Sequence, residues 1–480
     1  MRVVLEAKLP KMFLLPAYCF PKDTRGKKFG FNLGVEVSSP ANRSVVTTTH
    51  LTKREKSMSS NRAAVLRALA FTFSLGLIIF ATNAVAAAAT LTVGNATSGA
   101  CIHVFPSIQS AVIAASAGDT VQVCPGTYNE SVTINTTLTL IGAKAGVDAR
   151  TRATTGESII NSSCSPLQIF ADNVVVDGFT VQGSTDLDPC TIAGIYTNPG
   201  GFGYHGGYQI LNNIVQNNII GIEMDNDGVL PAKVARNLIQ NNNNPGPDGG
   251  TGIDTNFGAI KVVVDSNKFV GNTNSAIDLV NAGGSNLTFS NNEFDSNRRA
   301  MGLGAVTSSA ITGNNIHNSN DPATADIRIF GGVSSLSVTC NNLANGLGRA
   351  IRINDAGFGP SSSISINKNN ISGYPTGLEE NLGGYTGGLF SLDATNNWWG
   401  SSTGPTIASN PGGSGELIID EDGVVKYSPF LTSVSSCAPV PQIGPPTNKD
   451  QCKKDGWMNF NVPRKFRNQG DCIQYVNTGK

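Results

Sequence analysis

Charged residues, histidine, methionine and tryptophan are all scarce in this sequence. Asp, Glu, Lys and Arg make up 14% of the 480 residues, and there are only 4 His, 6 Met and 3 Trp. No Cys-x-x-Cys pair is present, so the ligand spacing of a zinc finger is absent. The small number of His and Met residues also argues against a protein that handles copper.

The neutral net charge of the whole chain hides a difference between its two ends. Residues 1–89 carry 13 basic and 4 acidic side chains, whereas residues 90–480 carry 21 and 30, a net charge of −9. An acidic surface is repelled by a phosphate backbone. Nucleic acid is therefore not an expected partner.

A short phrase recurs between about residue 174 and residue 400. It consists of an apolar residue, two variable residues, Asn, any residue and a second apolar residue. The anchor asparagines are 24, 30, 25, 22, 27 and 28 residues apart. A period of this size indicates a stacked repeat protein. The anchors are Asn213, Asn237, Asn267, Asn292, Asn314, Asn341 and Asn369.

Each repeat contains short alternating apolar runs broken by Asn, Gly and Ser, with no sustained helical spacing. The Leu-x-x-Leu-x-Leu pattern of leucine-rich repeats is absent, and propeller blades need about 40 residues. The pattern therefore predicts an all-β fold, a right-handed parallel β-helix with three short strands per turn. Asn suits its turns because it tolerates left-handed backbone angles, and stacked Asn side chains can form amide ladders.

Two segments of the chain resemble secreted bacterial β-helix proteins of the pectin-lyase-like superfamily. Ser107 to Glu130 (SIQSAVIAASAGDTVQVCPGTYNE) is similar to their opening, and Asp393 to Pro405 (DATNNWWGSSTGP) is similar to their last turn. The resemblance covers about residues 101–432 and implies an N-terminal capping helix followed by the solenoid. It does not imply one activity, because the superfamily includes lyases, hydrolases, epimerases, adhesins and non-catalytic binders.

The sequence also predicts export. From Met58 onward come two arginines, an apolar run and Ala84-Val85-Ala86, the layout of a signal peptide over residues 58–89. Residues 1–57 are then interpreted as a mis-called upstream extension. The alternative is a cytoplasmic tail with residues 68–89 kept as a membrane anchor. The expected location is secreted, extracellular or on the cell surface, with the periplasm as an alternative.

Eight cysteines follow Met58, an even number that suits an oxidising compartment. Proximity in sequence favours three disulfides and leaves two cysteines to form a fourth, although eight cysteines allow 105 connectivities. The expected pairs are Cys101–Cys124, Cys164–Cys190, Cys452–Cys472 and Cys340–Cys437.

The C-terminal part differs in composition from the β-helix, which is expected over residues 90–432. Residues 433–447 are rich in Pro and Ser and predict a linker. Residues 448–480 resemble a short Cys-containing module found on many secreted bacterial proteins. Its aromatic residues either contact a surface or glycan, or form the small core of the module.

A column of polar side chains is expected on one sheet of the solenoid. When the strands after each Asn turn are aligned, the residue after each buried Ile or Leu points outward. The candidate substrate-binding side chains are Glu379 of this column and Asp225, Asn256 and Asn354 of a neighbouring outward column. The first column consists of Glu223, Asp254, Asp278, Arg328, Arg352 and Glu379, and the second includes Asp225, Asn256, Asn354 and Asn381.

Glu223, Asp254, Asp278, Arg328 and Arg352 are the candidate catalytic residues of this column. Carboxylates about 5 Å apart raise one another's pKa values, and such clusters are often functional. Acids on adjacent turns match the spacing of retaining glycosidases, and acids two turns apart match inverting ones. The same acids could hold Ca²⁺ at Asp254 and Asp278, and the arginines could bind an acidic sugar. The alternative is a solvated charged face.

Three functions remain open at this point. The first is an extracellular protein that binds polysaccharide or a cell-surface glycan along the strand face. The second is a polysaccharide lyase or glycoside hydrolase, although no catalytic motif of characterised β-helix enzymes is recognisable. The third is a structural or adhesive surface protein. No certain cofactor is implied, a monomer is expected, and contact with a membrane is expected only through the signal peptide or an uncleaved anchor.

Overall fold

The structure is a computed structural model of the whole chain. It describes residues 87–94, 104–197, 205–280, 282–440, 445–446, 448–453, 456–460 and 464–479. The predicted upstream extension, almost all of the predicted signal peptide and Cys101 lie outside these residues. Within the described part of the chain, no helix has the length and apolar character that crossing a membrane requires.

The described chain winds through three parallel sheets of 14, 12 and 10 strands, here called sheets 1, 2 and 3. Sheet 1 contains Thr90–Val93, Thr120–Val123, Thr139–Ile141, Val175–Asp177, Gln209–Leu211, Asn226–Ala235, Ala259–Asp265, Gly284–Ser285, Thr288–Ser290, Val306–Thr312, Ser334–Thr339, Ser362–Asn367, Leu392–Asp393 and Val425–Lys426. Sheet 2 contains Val132–Ile134, Leu167–Ile169, Ala193–Thr197, Ile220–Glu223, Thr251–Asp254, Ser275–Leu279, Met301–Leu303, Ala325–Ile329, Arg349–Ile353, Thr376–Glu380, Pro405–Thr406 and Gly415–Asp420. Sheet 3 contains Gly126–Tyr128, Ser158–Asn161, Phe179–Gln182, Ile214–Gln216, Leu238–Gln240, Lys268–Val270, Glu293–Asp295, Asn315–His317, Asn342–Ala344 and Asn370–Ser372.

Successive strands visit sheet 1, sheet 3 and sheet 2 and then return to sheet 1 one turn further along. Each strand therefore pairs in parallel with the equivalent strands of the turns before and after it, as for Val264 and Phe289 in sheet 1. Crossovers between parallel strands are right-handed in nearly all proteins. The predicted fold class, a right-handed parallel β-helix, is confirmed.

The interior of the coil is a continuous column of apolar side chains, which follows from the alternation of side chains along each strand. Phe269 and Phe294 occupy equivalent places on neighbouring turns, and their rings stack with centroids 4.8 Å apart. Both are fully buried, as are Val264 and Ile366. Burying each such side chain contributes about 1.5–3 kcal/mol. Apolar burial from turn to turn therefore holds the stack together.

The anchor asparagines form a buried ladder at the turn between sheets 1 and 3. Asn267, for example, donates from Nδ2 to the Asn292 side chain at 3.1 Å and to the Val234 carbonyl at 2.8 Å. The sequence suggested that these Asn residues would have left-handed backbone angles. The positive φ lies instead one residue earlier, at Ser266 (+56°) and Asn291 (+54°), so the anchors are selected for their amide hydrogen bonds.

A short α-helix, Ile108–Ala114, packs at the N-terminal end of the coil, as the resemblance implied. The Ser107 hydroxyl caps it by accepting from the Ser110 N–H at 3.1 Å. Its apolar face, formed by Ile108, Ala111 and Val112, joins the main core. At the other end of the repeats, Trp399 is fully buried.

Three disulfides are present among the described residues: Cys164–Cys190, Cys340–Cys437 and Cys452–Cys472. They match the expected pairs, and Cys124 is disulfide-bonded as well. The Cys340–Cys437 bond ties the start of the Pro/Ser segment to the β-helix. The Asn370 side chain adds a second tie by accepting from the Ser435 N–H at 2.7 Å.

The C-terminal segment is built from two 3₁₀ turns, Asp450–Cys452 and Gly456–Asn459, and the α-helix Gln469–Thr478. Cys452, Phe460, Phe466 and Cys472 form a small buried cluster, with Trp457 and Tyr475 packed against it. This arrangement favours the interpretation of the aromatic residues as the core of the module.

Candidate functional site

Sheet 2 places the first polar column in continuous register. Glu223 pairs with Asp254, Asp254 with Asp278, and Asp278 with Gly302. Gly302 pairs with Arg328, which is followed by Arg352 and Glu379. The preceding residue in each strand is buried in the core, so these side chains lie on the outer face. The structure thus brings the acids to one end of the column and the arginines to the other.

The acids at the start of the column are buried despite facing outward. Glu223 is 5% exposed and Asp254 is 7% exposed. Burial raises the pKa of Glu223 to about 8, and the neighbouring Asp225 carboxylate adds to the rise. Burial also raises the pKa of Asp254 to about 8, with Asp278 as the next cause. Both carboxyls therefore hold a proton near neutral pH.

Asp278 differs from these two acids because it has a cationic partner. Its Oδ2 lies 2.5 Å from a guanidinium nitrogen of Arg299, in the loop before the next strand of sheet 2. Burial raises the pKa of Asp278, while Arg299 opposes the rise. Two neighbouring carboxyls thus occupy unlike environments, which is how acid and base roles become separated in active sites.

Arg328 is the cation nearest to these acids along the column, and it has no carboxylate partner among the described residues. Its guanidinium lies over the Phe330 ring, 4.2 Å from the centroid, and its buried Nε has no hydrogen-bond partner. Burial lowers its pKa, and the Arg352 and Arg299 guanidinium groups lower it further. An anion bound here would supply the missing partner.

Arg352 and Glu379 satisfy each other. Glu379 Oε1 lies 3.0 Å from Arg352 Nε, and its second oxygen binds Arg349. Arg352 also donates to the Asn381 side chain at 2.8 Å. Glu379 forms ion pairs with two arginines of the preceding strand, Arg349 and Arg352. These paired side chains are therefore less available to a ligand than Arg328.

The second column is only partly a surface feature. Asp225 is fully buried and accepts from Thr255 Oγ1 at 2.7 Å and from the Asn256 and Phe257 N–H groups at 2.9 Å. These bonds hold the turn after the strand Thr251–Asp254, which indicates a structural role. Asn256 is exposed and Asn354 is half-buried, so both remain within reach of a ligand.

Asp254, Asp278 and Arg328 line a cleft of about 300 Å³ on the outer face of sheet 2. Asp248, Arg299 and Phe330 were not among the predicted site residues, because they lie outside the aligned strand positions. An apolar ring beside charged groups suits a sugar, whose ring has apolar faces and polar edges. The cleft is lined by Asp248, Asp254, Asn274, Asp278, Val280, Arg299, Arg328 and Phe330.

The geometry does not support a Ca²⁺ ion at Asp254 and Asp278. Calcium takes six to eight oxygen ligands, and Asp278 already binds Arg299. Within the described part of the chain, three ligand atoms come within 4.8 Å of one another only at Glu293, Asp295 and His317, which lie on sheet 3. The acids of the cleft do not form such a group.

No family model matches the sequence, and no curated protein matches it. Among solved structures, it is similar to pectate lyase Pel9A, at 15% identity and a TM-score of 0.41, over 74% of this chain and 92% of that one. It is similar to the A-module of mannuronan C-5 epimerase AlgE6 from Azotobacter vinelandii, at 14% identity and a TM-score of 0.40, over 70% of this chain and 95% of that one. It is also similar to a family PL6 polysaccharide lyase from Pseudopedobacter saltans, at 13% identity and a TM-score of 0.38, over 72% of this chain and 97% of that one.

Proposed function

We propose that this protein is exported and binds an acidic polysaccharide in the cleft on sheet 2. The observation that carries the proposal is the unpaired guanidinium of Arg328, buried on its Nε side and stacked on Phe330. A sugar carboxylate would pair with this guanidinium while the sugar ring lies near the aromatic face. The protonated carboxyl of Asp254, which lines the cleft, reduces the repulsion that an anionic polymer would otherwise meet.

The experiment compares Arg328→Gln with the wild-type chain in binding to polygalacturonate, alginate and a neutral glucan. Arg150→Gln is a matched control, because Arg150 pairs with Asp148 outside the cleft. A hydrogen bond to a charged group contributes about 1.5–3 kcal/mol. We therefore expect Arg328→Gln to weaken binding of one acidic polymer about 10-fold to 100-fold and to reduce its salt dependence.

Three outcomes contradict the proposal. Equal binding of an acidic polymer by Arg328→Gln, Arg150→Gln and the wild type would place binding elsewhere. Binding of the neutral glucan alone would show that the guanidinium is not a recognition group. Absence of binding to every polymer would favour the structural or adhesive alternative.

Polysaccharide cleavage is the second candidate, favoured by the unlike environments of Asp254 and Asp278. A protonated Asp254 could donate to a leaving oxygen, while Asp278, beside Arg299, is the better candidate for the ionised form. Adjacent strands lie about 4.8 Å apart, near the carboxyl separation of about 5–5.5 Å in retaining glycosidases. Release of reducing ends or unsaturated uronate, lost in Asp254→Asn with polymer binding retained, is the test.

Export is supported by the disulfides and by the predicted signal peptide. The mass and N-terminal sequence of the protein recovered outside the cell test it. A mature chain that begins after Ala86 is expected, whereas retention of residues 68–89 in a membrane fraction would favour the anchor.

A further inference from the structure

A second group of polar side chains lies on sheet 3, away from the sheet that bears the cleft. Glu293 and Asp295 flank the buried Phe294, and His317 follows the buried Ile316 on the next turn. Asp295 and His317 occupy paired positions in the register. Side-chain alternation therefore places all three on the outer face, across two adjacent strands.

The distances within this group suit a metal ion. One ligand atom from each residue lies within 4.8 Å of the other two. His317 Nε2 is 3.6 Å from Glu293 Oε1, and His317 Nδ1 is 3.4 Å from Asp295 Oδ1. Ligands bound tetrahedrally at about 2.0–2.1 Å lie roughly 3.4 Å apart. To complete a three-residue site, one of the two carboxylates would rotate toward the ring nitrogen that binds the ion.

The imidazole ring has one edge that the protein satisfies and one that it does not. Nδ1 lies 2.9 Å from the Asn318 side chain and faces Asp295. Nε2 is buried and faces Glu293 Oε1 at 3.6 Å, slightly longer than a normal hydrogen bond. Either ring nitrogen of a neutral histidine can bind a metal, and each edge of this ring already faces one of the two carboxylates.

We propose that Glu293, Asp295 and His317 bind one divalent transition-metal ion of the zinc type. An imidazole and two carboxylates suit zinc, whereas calcium and magnesium prefer sites made of oxygen alone. The bound ion would link two consecutive turns of sheet 3. This site is independent of the cleft and of the proposed polysaccharide.

Two cations near the site oppose the metal. Lys268 Nζ lies 3.0 Å from Glu293 Oε1, and the Arg150 guanidinium is close enough to interact electrostatically with Glu293. The Lys268 side chain is 29% exposed, and its long stem allows the ammonium to move into water. Lys268 therefore acts as a competitor for Glu293, and its removal should strengthen metal binding.

The test is zinc binding by the full chain without a histidine tag, measured by equilibrium dialysis and by the shift of Tm on adding Zn²⁺. The variants are His317→Gln, Lys268→Met and the control His205→Gln, which changes a histidine paired with Asp172. We expect one zinc ion per chain in the wild type and in His205→Gln. His317→Gln should weaken binding at least about 10-fold, and Lys268→Met should strengthen it.

Each contrary outcome is distinguishable. Equal zinc binding by His317→Gln and His205→Gln, or no zinc retained by the wild type, would overturn the proposal. So would loss of the ion in Asp254→Asn, because the ion would then belong to the cleft. If His317→Gln unfolds in the absence of metal, Asp295→Asn replaces it, with the same loss expected. A Tm rise with Zn²⁺ but not with Ca²⁺ or Mg²⁺ supports the assigned class of metal.

Discussion

The buried carboxyls of the cleft should make the stability of this protein depend on pH in the neutral range. The change that isolates this effect is Asp254→Asn. Asparagine has nearly the same shape, cannot ionise and keeps the oxygen that accepts from the Thr255 N–H at 2.9 Å. The variant therefore removes the titration of Asp254 while conserving its contacts.

The sign of the effect follows from the two states of the group. The pKa of Asp254 is about 8 in the folded protein, against its ordinary value of 3.8, so the folded state binds the proton more tightly. Its stabilising contribution is complete below about pH 4 and is lost as the pH rises through about 8. One pH unit within this window corresponds to about 1.4 kcal/mol. Between pH 5 and pH 7, Asp254→Asn should therefore gain about 3 kcal/mol relative to the wild type.

The assay is guanidinium-induced unfolding at pH 5, 6 and 7, followed by tryptophan fluorescence, with the free energy of unfolding extrapolated linearly to water. The quantity to compare is the difference in the free energy of unfolding between variant and wild type. Titration of groups that both proteins contain, such as Glu223, largely cancels from this difference. Asp188→Asn, at an exposed carboxyl on another loop, is the control and should give a constant difference. A constant difference for Asp254→Asn as well would refute the reasoning, since Asp254 would then titrate normally.

Two further predictions concern the scaffold. Asn314→Ala removes a buried rung of the amide ladder and leaves the Asn292 N–H, which it accepts at 2.9 Å, without a partner. Since each unsatisfied buried group costs about 1–3 kcal/mol, unfolding experiments should show a loss of several kcal/mol, against almost none for the exposed Asn320→Ala. Replacing Cys340 and Cys437 together by Ser opens a bond that spans 97 residues. We expect a loss of about 4 kcal/mol by the same measurement and earlier proteolysis near residue 437.

The fold could be predicted because each turn of the coil repeats the same sequence pattern. An Asn whose amide must meet its equivalents above and below recurs at a nearly constant interval, and buried apolar residues alternate around it. The place of the left-handed residue could not be predicted from this signal. Ser266, Arg236 and Asn291 all adopt positive φ before an anchor, so no single residue type marks that position.

The candidate site was predictable only where it follows strand register. Glu223, Asp254 and Asp278 occupy equivalent positions after a buried Ile, so alignment of the turns was sufficient to bring them together. Arg299 lies on the loop that precedes the next strand, and Asp248 lies on an inserted loop. Strand register does not predict where such side chains lie, because the path of a loop over the sheet does not follow from the alignment of the strands.

The group on sheet 3 does follow strand register, but it was not predicted from the sequence. Glu293 and His317 are 24 residues apart, a separation that matches no local metal motif. In a stacked fold, however, residues one period apart become neighbours on adjacent strands. A search for ligands in such a protein must therefore compare residues at the spacing of the repeat, which linear motif spacing ignores.

The charge balance of sheet 2 is the reason for proposing an anionic ligand and not a neutral one. Four arginines lie close enough to Arg328 to lower its pKa: Arg298, Arg299, Arg349 and Arg352. All four form ion pairs, with Asp321, Asp278 and Glu379. The partly buried guanidinium of Arg328 has no acid to offset the free energy lost by its desolvation. A neutral sugar would increase that cost by removing water from the guanidinium. A carboxylate would offset it with a charged hydrogen bond, so an anionic ligand would stabilise the protein where its own sequence leaves a positive charge uncompensated.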